Sequence, residues 1–305
     1  MKYRVLHQTM YTNTTPVSVG YNEVWLTPRG TDRQSVLTHR IDIEPEPSNR
    51  GEITDYFGNT VTQILFNQGY STLSISSVNE IEVAPSTVSP AKTIPWEDVQ
   101  RELQEHRTLK SLEAYEFAFE SPRCRLSDEF ADYGRDLLVP GCSLRDFLFK
   151  LMNRFHSEFQ FDSTATNVST PVEQVFRQRR GVCQDFSHLM ISILRSLGFA
   201  ARYVSGYLRT VPPPGKPRLV GADNSHAWVG IYAGDGDWID IDPTNNQFPS
   251  TDHVTVAWGR DYSDVAPVKG VYIGGSSLRL TVSVDVSPME DPPPLNPTRP
   301  PSKAI

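Results

Sequence analysis

Cysteine is scarce: Cys124, Cys142 and Cys183 are the three in 305 residues, and their spacing builds neither a disulfide framework nor a C-x-x-C zinc pair. Basic charge is also short, with 29 Lys and Arg against 36 Asp and Glu and a formal net charge of -7. No phosphate-driven attachment to nucleic acid or to an anionic membrane surface is therefore expected. Long apolar runs are missing. Nothing approaches the roughly 20 residues of a membrane-spanning helix, and the opening MKYRVLHQTM lacks the hydrophobic stretch of a secretory signal. Metal-binding histidine patterns are missing too: His7, His39, His106, His156 and His253 are scattered without the spacing of a helical or hairpin metal site. These absences lead us to expect a cytoplasmic protein with no metal, no cofactor, no nucleic-acid partner and no membrane partner. Asn13-Thr14-Thr15 and Asn167-Val168-Ser169 match the glycosylation pattern, which carries no weight without a secretory signal.

What is present divides the chain in three. From residue 1 to about 90, short runs alternate apolar and polar residues, as in Thr60-Val61-Thr62-Gln63-Ile64-Leu65-Phe66. Clusters such as Phe57-Gly58-Asn59 break them as turns do. This predicts an antiparallel β-sandwich domain. Pro85 to Pro95 is rich in Pro, Ser and Thr and marks the boundary. Residues 91–286 then read as an α+β domain. Leu126 to Leu138, Leu144 to His156 and Val172 to Gln178 carry helical spacing, with Ser127 and Ser143 as N-caps. Strands follow at His226 to Tyr232, Asp237 to Ile241 and Val254 to Trp258. Leu278-Leu280-Val282-Val284-Val286 is a final strand that the sequence assigns to neither sheet, although chain order groups it with the second domain. Gly270 to Ser276 lacks the lysine of a phosphate loop, so a turn before that strand is predicted. Residues 287–305 are dominated by Pro and polar residues and read as a disordered tail.

The chemistry centres on Arg177-Gln178-Arg179-Arg180-Gly181-Val182-Cys183-Gln184-Asp185-Phe186. Phe186, Leu189, Met190, Ile193, Leu194 and Leu197 repeat at three-and-four spacing, and Gly198 follows where a C′ glycine ends a helix. Cys183 thus opens a core helix, whose unpaired amides and positive dipole end stabilise a thiolate. The basic run beside it would add to that effect, and Gly181 would let the backbone turn before the nucleophile. An isolated cysteine is more often a small buried hydrophobe. A second segment weighs against that reading. Ser225-His226-Ala227-Trp228-Val229 and Trp238-Ile239-Asp240-Ile241-Asp242-Pro243-Thr244 form a predicted hairpin through Gly234 to Gly236, with a histidine at one strand's start and aspartates near the other's end. Asp240 and Asp242 share a face by period two, so spacing alone leaves both open as the partner of His226. His188, five residues after Cys183, sits about 140° around the helix and reads as structural. Asp185 reads as stabilising the helix start. Tyr203, Ser205 and Tyr207 lie on the next strand, facing cleft or core.

Together R-R-G-V-C-Q-D-F, S-H-A-W-V and W-I-D-I-D-P-T resemble the catalytic core of the transglutaminase-like superfamily, and the preceding β domain resembles its bacterial two-domain branch of cysteine proteases. The resemblance implies a papain-like core with Cys183 as nucleophile, His226 as base and Asp242 as the orienting carboxylate. It does not locate an oxyanion side chain, for which Trp96, Gln160 and Tyr133 are candidates. The implied function is cysteine-dependent acyl transfer on a peptide or amide substrate through a thioester, with water as acceptor. An amine-accepting transglutaminase and a non-catalytic scaffold are the alternatives.

Overall fold

Alternation carries the first strand much further than a single hairpin requires. In the computed structural model, which describes residues 1–85, 94–105, 107–210 and 225–289, β1 (Lys2–Val24) runs for 23 residues. Its inward side chains Tyr3, Val5, His7 and Thr9 are buried. With β2 (Gln34–Glu44), β3 (Asn49–Thr54), β4 (Thr60–Phe66) and β5 (Tyr70–Val83) it forms a sheet of order β2-β5-β1-β4-β3. The expected antiparallel β domain is present, its strands joined through β1 into one hydrogen-bonded sheet. The reason is the length of β1, whose first half pairs with β5 and whose second half pairs with β4. Val24, Leu26, Ile41, Ile64, Phe66, Leu73 and Ile75 fill its own small core.

The second region begins with α1 (Trp96–Glu105) and α2 (Leu109–Tyr115), then a short 3₁₀ turn at Glu116–Ala118. After these come α3 (Asp128–Arg135) and α4 (Leu144–Glu158), capped by Ser127 and Ser143, whose side chains accept the backbone N–H of Phe130 and Asp146. Capping by serine satisfies amides that the first turn leaves unpaired. A two-residue strand β6 (Gln160–Phe161), helix α5 (Val172–Gln178) and a second short strand β7 (Arg180–Gly181) lead into α6 (Cys183–Ser196). Gly198 takes φ 89° just beyond it, a left-handed conformation that only glycine adopts freely.

The helix α6 is more enveloped than its apolar stripe predicts. Ser187, His188, Ile191, Ser192 and Arg195 are buried along with the stripe. Arg195 tolerates this because its guanidinium donates to the carbonyls of Phe119, Ala201 and Arg260 at 2.7–3.1 Å; buried charge is tolerated when its hydrogen bonds are filled. Against α6 packs an antiparallel sheet of order β10-β9-β8-β11, made of β8 (Ala201–Leu208), β9 (Ser225–Tyr232), β10 (Trp238–Ile241) and β11 (His253–Gly259). After α7 (Tyr262–Val265) come β12 (Val268–Ser276) and β13 (Arg279–Pro288).

Three sequence expectations change here. The final strand pairs with β1, from Tyr3 opposite Pro288 to Thr12 opposite Arg279, so it belongs to the N-terminal sheet and not to the 91–286 segment that contains it. Long-range pairing of this kind leaves no local trace. Gly270 to Ser276 is part of strand β12 and not a turn; a Cβ on Gly270 would lie 2.1 Å from Asn22 Oδ1, so close approach to β1 explains that glycine. Ser287 and Pro288 belong to β13, while residues 290–305 of the expected tail, residues 86–93 of the expected linker, and His106 lie outside the described residues.

The two sheets share a core. Tyr3, Val5, Ile81, Val83, Val284 and Val286 of the first cluster with α6, β8 and β9 of the second. Polar ties cross the same seam: Tyr207 Oη and His7 Nδ1 are 3.0 Å apart, and Gln34 exchanges hydrogen bonds with the backbone of Thr255.

Candidate active site

Cys183 is the first residue of α6 and is half-buried. The loop before it is pinned by the parallel β6–β7 pair, in which Gln160 N–H donates to Arg179 C=O and Asp162 N–H to Gly181 C=O, each at 2.9 Å. The sharp turn falls at Arg179, with φ 56°, and not at Gly181. Gly181 is needed for space: a Cβ there would sit 2.9 Å from the Asp185 carboxylate. That carboxylate folds back to accept the Val182 N–H at 2.8 Å and the Thr166 hydroxyl at 2.6 Å. Asp185 therefore holds the helix start, as read from sequence. The basic run is engaged elsewhere than at the sulfur: Arg179 lies over Phe176 and pairs with Glu158, and Arg180 faces Asp162 at 3.8 Å.

His226 is the second residue of β9, opposite Gly206 of β8. Asp242 follows the end of β10, where the β9–β10 ladder stops at Ile241 opposite Val229. The carboxylate reaches back along the strands, and Asp242 Oδ2 lies 2.8 Å from His226 Nε2. Asp242 is fully buried and is held by its own turn, since Oδ1 accepts the N–H groups of Thr244 and Asn245 at 3.0 and 3.2 Å. Oδ2 also accepts from Asn245 Nδ2 at 2.8 Å and contacts His253 Nε2 at 3.1 Å. Asp240, the other aspartate on that face, instead accepts the Trp228 indole N–H at 3.2 Å.

Burial pushes the His226 imidazole towards neutrality, but the hydrogen bonds to Asp242 and Cys183 and the charges of both partners outweigh it and raise its pKa from 6.5 to about 10. Burial likewise opposes the Asp242 charge. The hydrogen bonds from His226, His253 and Asn245 prevail, and its carboxyl lies well below the usual carboxylate range. With Nε2 committed to Asp242, Nδ1 is the ring nitrogen left for the thiol of Cys183. Imidazole and carboxylate are in direct contact, and Cys183 lies close enough to the ring to help raise its pKa.

Two members of this cluster escape sequence reasoning. His253 comes from β11, distant in the chain, and only sheet order brings it to Asp242. Asn245 follows Asp242 by three residues, and the Asp-Pro-Thr-Asn turn is a local signal that could have found it. Of the oxyanion candidates, Trp96 donates to Val139 C=O at 3.0 Å, and Tyr133 packs among Phe159 and Phe176. Gln160 lies in β6, beside the strand leading to Cys183. His188 is buried, accepts the Tyr262 N–H at 3.1 Å, and stays neutral because burial pushes its pKa down. Tyr207 serves the domain seam. The Tyr203 hydroxyl resists ionisation, first through burial and then through the charge of Cys183. His226, Asp242 and His253 each bring a ligand atom within 4.8 Å of the others, the one such trio among the described residues. Their mutual hydrogen bonds through Asp242 Oδ2 account for that proximity.

An α+β core in which a cysteine-bearing helix N-terminus meets a sheet carrying histidine and aspartate has a papain-like arrangement. Residues 140–243 match the family model of the transglutaminase-like superfamily, and residues 3–82 match the bacterial transglutaminase-like N-terminal region. An uncharacterised protein of Mycobacterium tuberculosis is 36% identical over 299 residues, covering 95% of this chain and 93% of its own. A Mycobacterium leprae protein is 32% identical over 94% of this chain and 98% of its own. A protein-glutamine gamma-glutamyltransferase of Pseudomonas aeruginosa is 31% identical over 103 residues, 32% of this chain and 15% of its own. Among solved structures, a provisionally named cysteine protease from Cytophaga hutchinsonii has a TM-score of 0.70 at 19% identity, covering 94% of this chain and 98% of that one. The chain belongs to the transglutaminase-like superfamily. No helix among the described residues is long and apolar enough to cross a membrane.

Proposed function

We propose that this protein is a cysteine-dependent acyl-transfer enzyme acting on a peptide or amide substrate, with Cys183 as nucleophile, His226 as general base and acid, and Asp242 as the residue that orients His226. The observation that carries this reading is the 2.8 Å contact of His226 with Asp242, with Cys183 at the start of α6 close enough to help raise the imidazole pKa. In the first half-reaction, the Cys183 sulfur attacks the carboxamide carbon, His226 holding the thiol proton. The C–N bond then breaks as His226 returns that proton to the leaving nitrogen, and a thioester remains. Water next attacks the thioester, His226 takes its proton, and the C–S bond breaks to release a carboxylic acid and the thiol. In this reading the Cys183 backbone N–H, at the positive end of α6, donates to the developing oxyanion.

Water is the acceptor in this reading, which makes the enzyme a peptidase or amidase. The gamma-glutamyltransferase named for the Pseudomonas relative supports an amine acceptor as the second reading, and the same residues serve both. The three cysteines are free, which suits a reducing cytoplasm.

Iodoacetamide labelling followed by mass spectrometry tests the assignment. Cys183 should label faster than Cys124, whose thiol burial pushes up to about 12, and than Cys142, and His226→Ala should abolish the difference. Equal labelling of all three would leave the fold as a non-catalytic scaffold. Trapping with peptide and glutamine-amide donors should give a covalent acyl adduct absent from Cys183→Ala.

A further inference from the structure

A cavity of about 1600 Å³ lies between the N-terminal domain and the sheet face turned away from α6. Its lining includes Arg29, Arg202, Trp228, Trp238, Asp240 and Trp258, but none of Cys183, His226 or Asp242. Arg202 stands out within it. The guanidinium carbon lies 4.0 Å from the Trp238 ring centre and 3.8 Å from that of Trp258. Trp258 in turn has Arg29 at 3.7 Å. Cation–π contact of this kind fixes the plane of a guanidinium but leaves its N–H edge unused.

That edge is unused here. Among the described residues Arg202 has no hydrogen-bond acceptor and no ion pair, and its Nε is sealed without a partner. Asp240 comes near but stops short of pairing: Arg202, Gly230 and Asp240 are side by side on three strands. A Cβ on Gly230 would meet Asp240 Oδ1 at 2.9 Å and Arg202 Nε at 3.0 Å. With Nε closed off, the Nη groups are the donors left for a ligand entering the cavity.

We propose that this interdomain cavity binds a carboxylate with an aromatic or apolar body, its oxygens taken by the Arg202 guanidinium and its body lying against the tryptophan-rich walls. A carboxylate matches the flat two-pronged edge of arginine. A phosphate dianion fits less well, because Asp240 would repel its second charge. The cavity exceeds the few hundred Å³ of a small-ligand pocket, so the body has room for several ring-sized groups. Occupancy would also be felt at the triad side, since His253 and Trp228 line the cavity while His253 contacts Asp242.

The test is titration of the full chain by calorimetry and tryptophan fluorescence with 3-phenylpropionate, with the isosteric 3-phenylpropanamide and with inorganic phosphate. The acid should bind saturably and at least about tenfold more tightly than the amide, as expected for a charge-assisted pair. Arg202→Gln should erase that preference, and Trp258→Leu should weaken it. Near-UV circular dichroism reports whether each variant folds, and the acid-to-amide ratio on the unaltered protein decides the matter if Arg202→Gln does not. Cys183→Ala should bind the acid as the parent does, whatever becomes of the proposed chemistry. Equal binding of acid and amide, equal or tighter binding of phosphate, an unchanged preference in folded Arg202→Gln, or no saturable binding would each overturn the proposal.

Discussion

His253 and His226 meet on one oxygen, Asp242 Oδ2, at 3.1 and 2.8 Å. The second imidazole comes from β11 and is buried, with its Nδ1 lacking a partner. The proton on Nε2 satisfies this geometry, because that nitrogen must carry it to donate to the carboxylate. His253→Phe removes that donor from a buried anion. It should lower unfolding free energy by about 1–3 kcal/mol and slow Cys183 alkylation, while His253→Gln, which restores a donor, should recover part of both. Urea denaturation and alkylation rates measured side by side check this, and full activity in a less stable His253→Phe would show that the residue matters to the fold alone.

The two aspartates of β10 and its end should separate cleanly. Asp242→Asn keeps the shape but removes the charge that holds the His226 proton, so turnover or alkylation should fall by roughly 10²–10⁴. Asp240→Asn disturbs the Trp228 contact and should change the same rate by only a few-fold. The reverse order would move the proposed orienting role to Asp240.

Acid and base should each lower stability at this site, through different groups. His226 is raised from 6.5 to about 10, so its contribution is complete below pH 6.5 and is lost as pH rises through about 10. Asp242 is lowered from 3.8, so its contribution is complete above that value and fades as pH falls below it. Since the Cys183 contact is part of what raises His226, Cys183→Ala should shift the imidazole titration downward. Proton NMR of the ring tests the shift, and unfolding midpoints across the alkaline range test the linkage. An unmoved titration would mean that the thiol does not touch the ring.

Gly206 should tolerate no side chain. A Cβ would fall 2.1 Å from Val254 C=O and 2.5 Å from the Trp228 ring, and the first of these is backbone that cannot rotate away. Gly206→Ala should cost about 1–3 kcal/mol or more and displace Trp228, which packs beside His226 and His253. Thermal unfolding with tryptophan fluorescence measures both effects, and an unaltered melting curve would refute the packing account.

Local order was legible from the chain because its causes are local. Serine caps at Ser127 and Ser143, the stripe from Phe186 to Leu197 and the glycine at position 198 each act within a few residues, and so does the turn from Gly234 to Gly236 that aligns β9 with β10. The positions of Cys183 at a helix start and of His226 and Asp242 on one hairpin follow from those same short-range rules. Tertiary structure alone decided the rest. Which sheet takes β13, how β1 serves four strands, how His253 reaches Asp242 and how Arg202 comes to lie between Trp238 and Trp258 are all set by pairings across tens to hundreds of residues. Such contacts depend on which apolar faces can be buried together, and no spacing within a single segment records that.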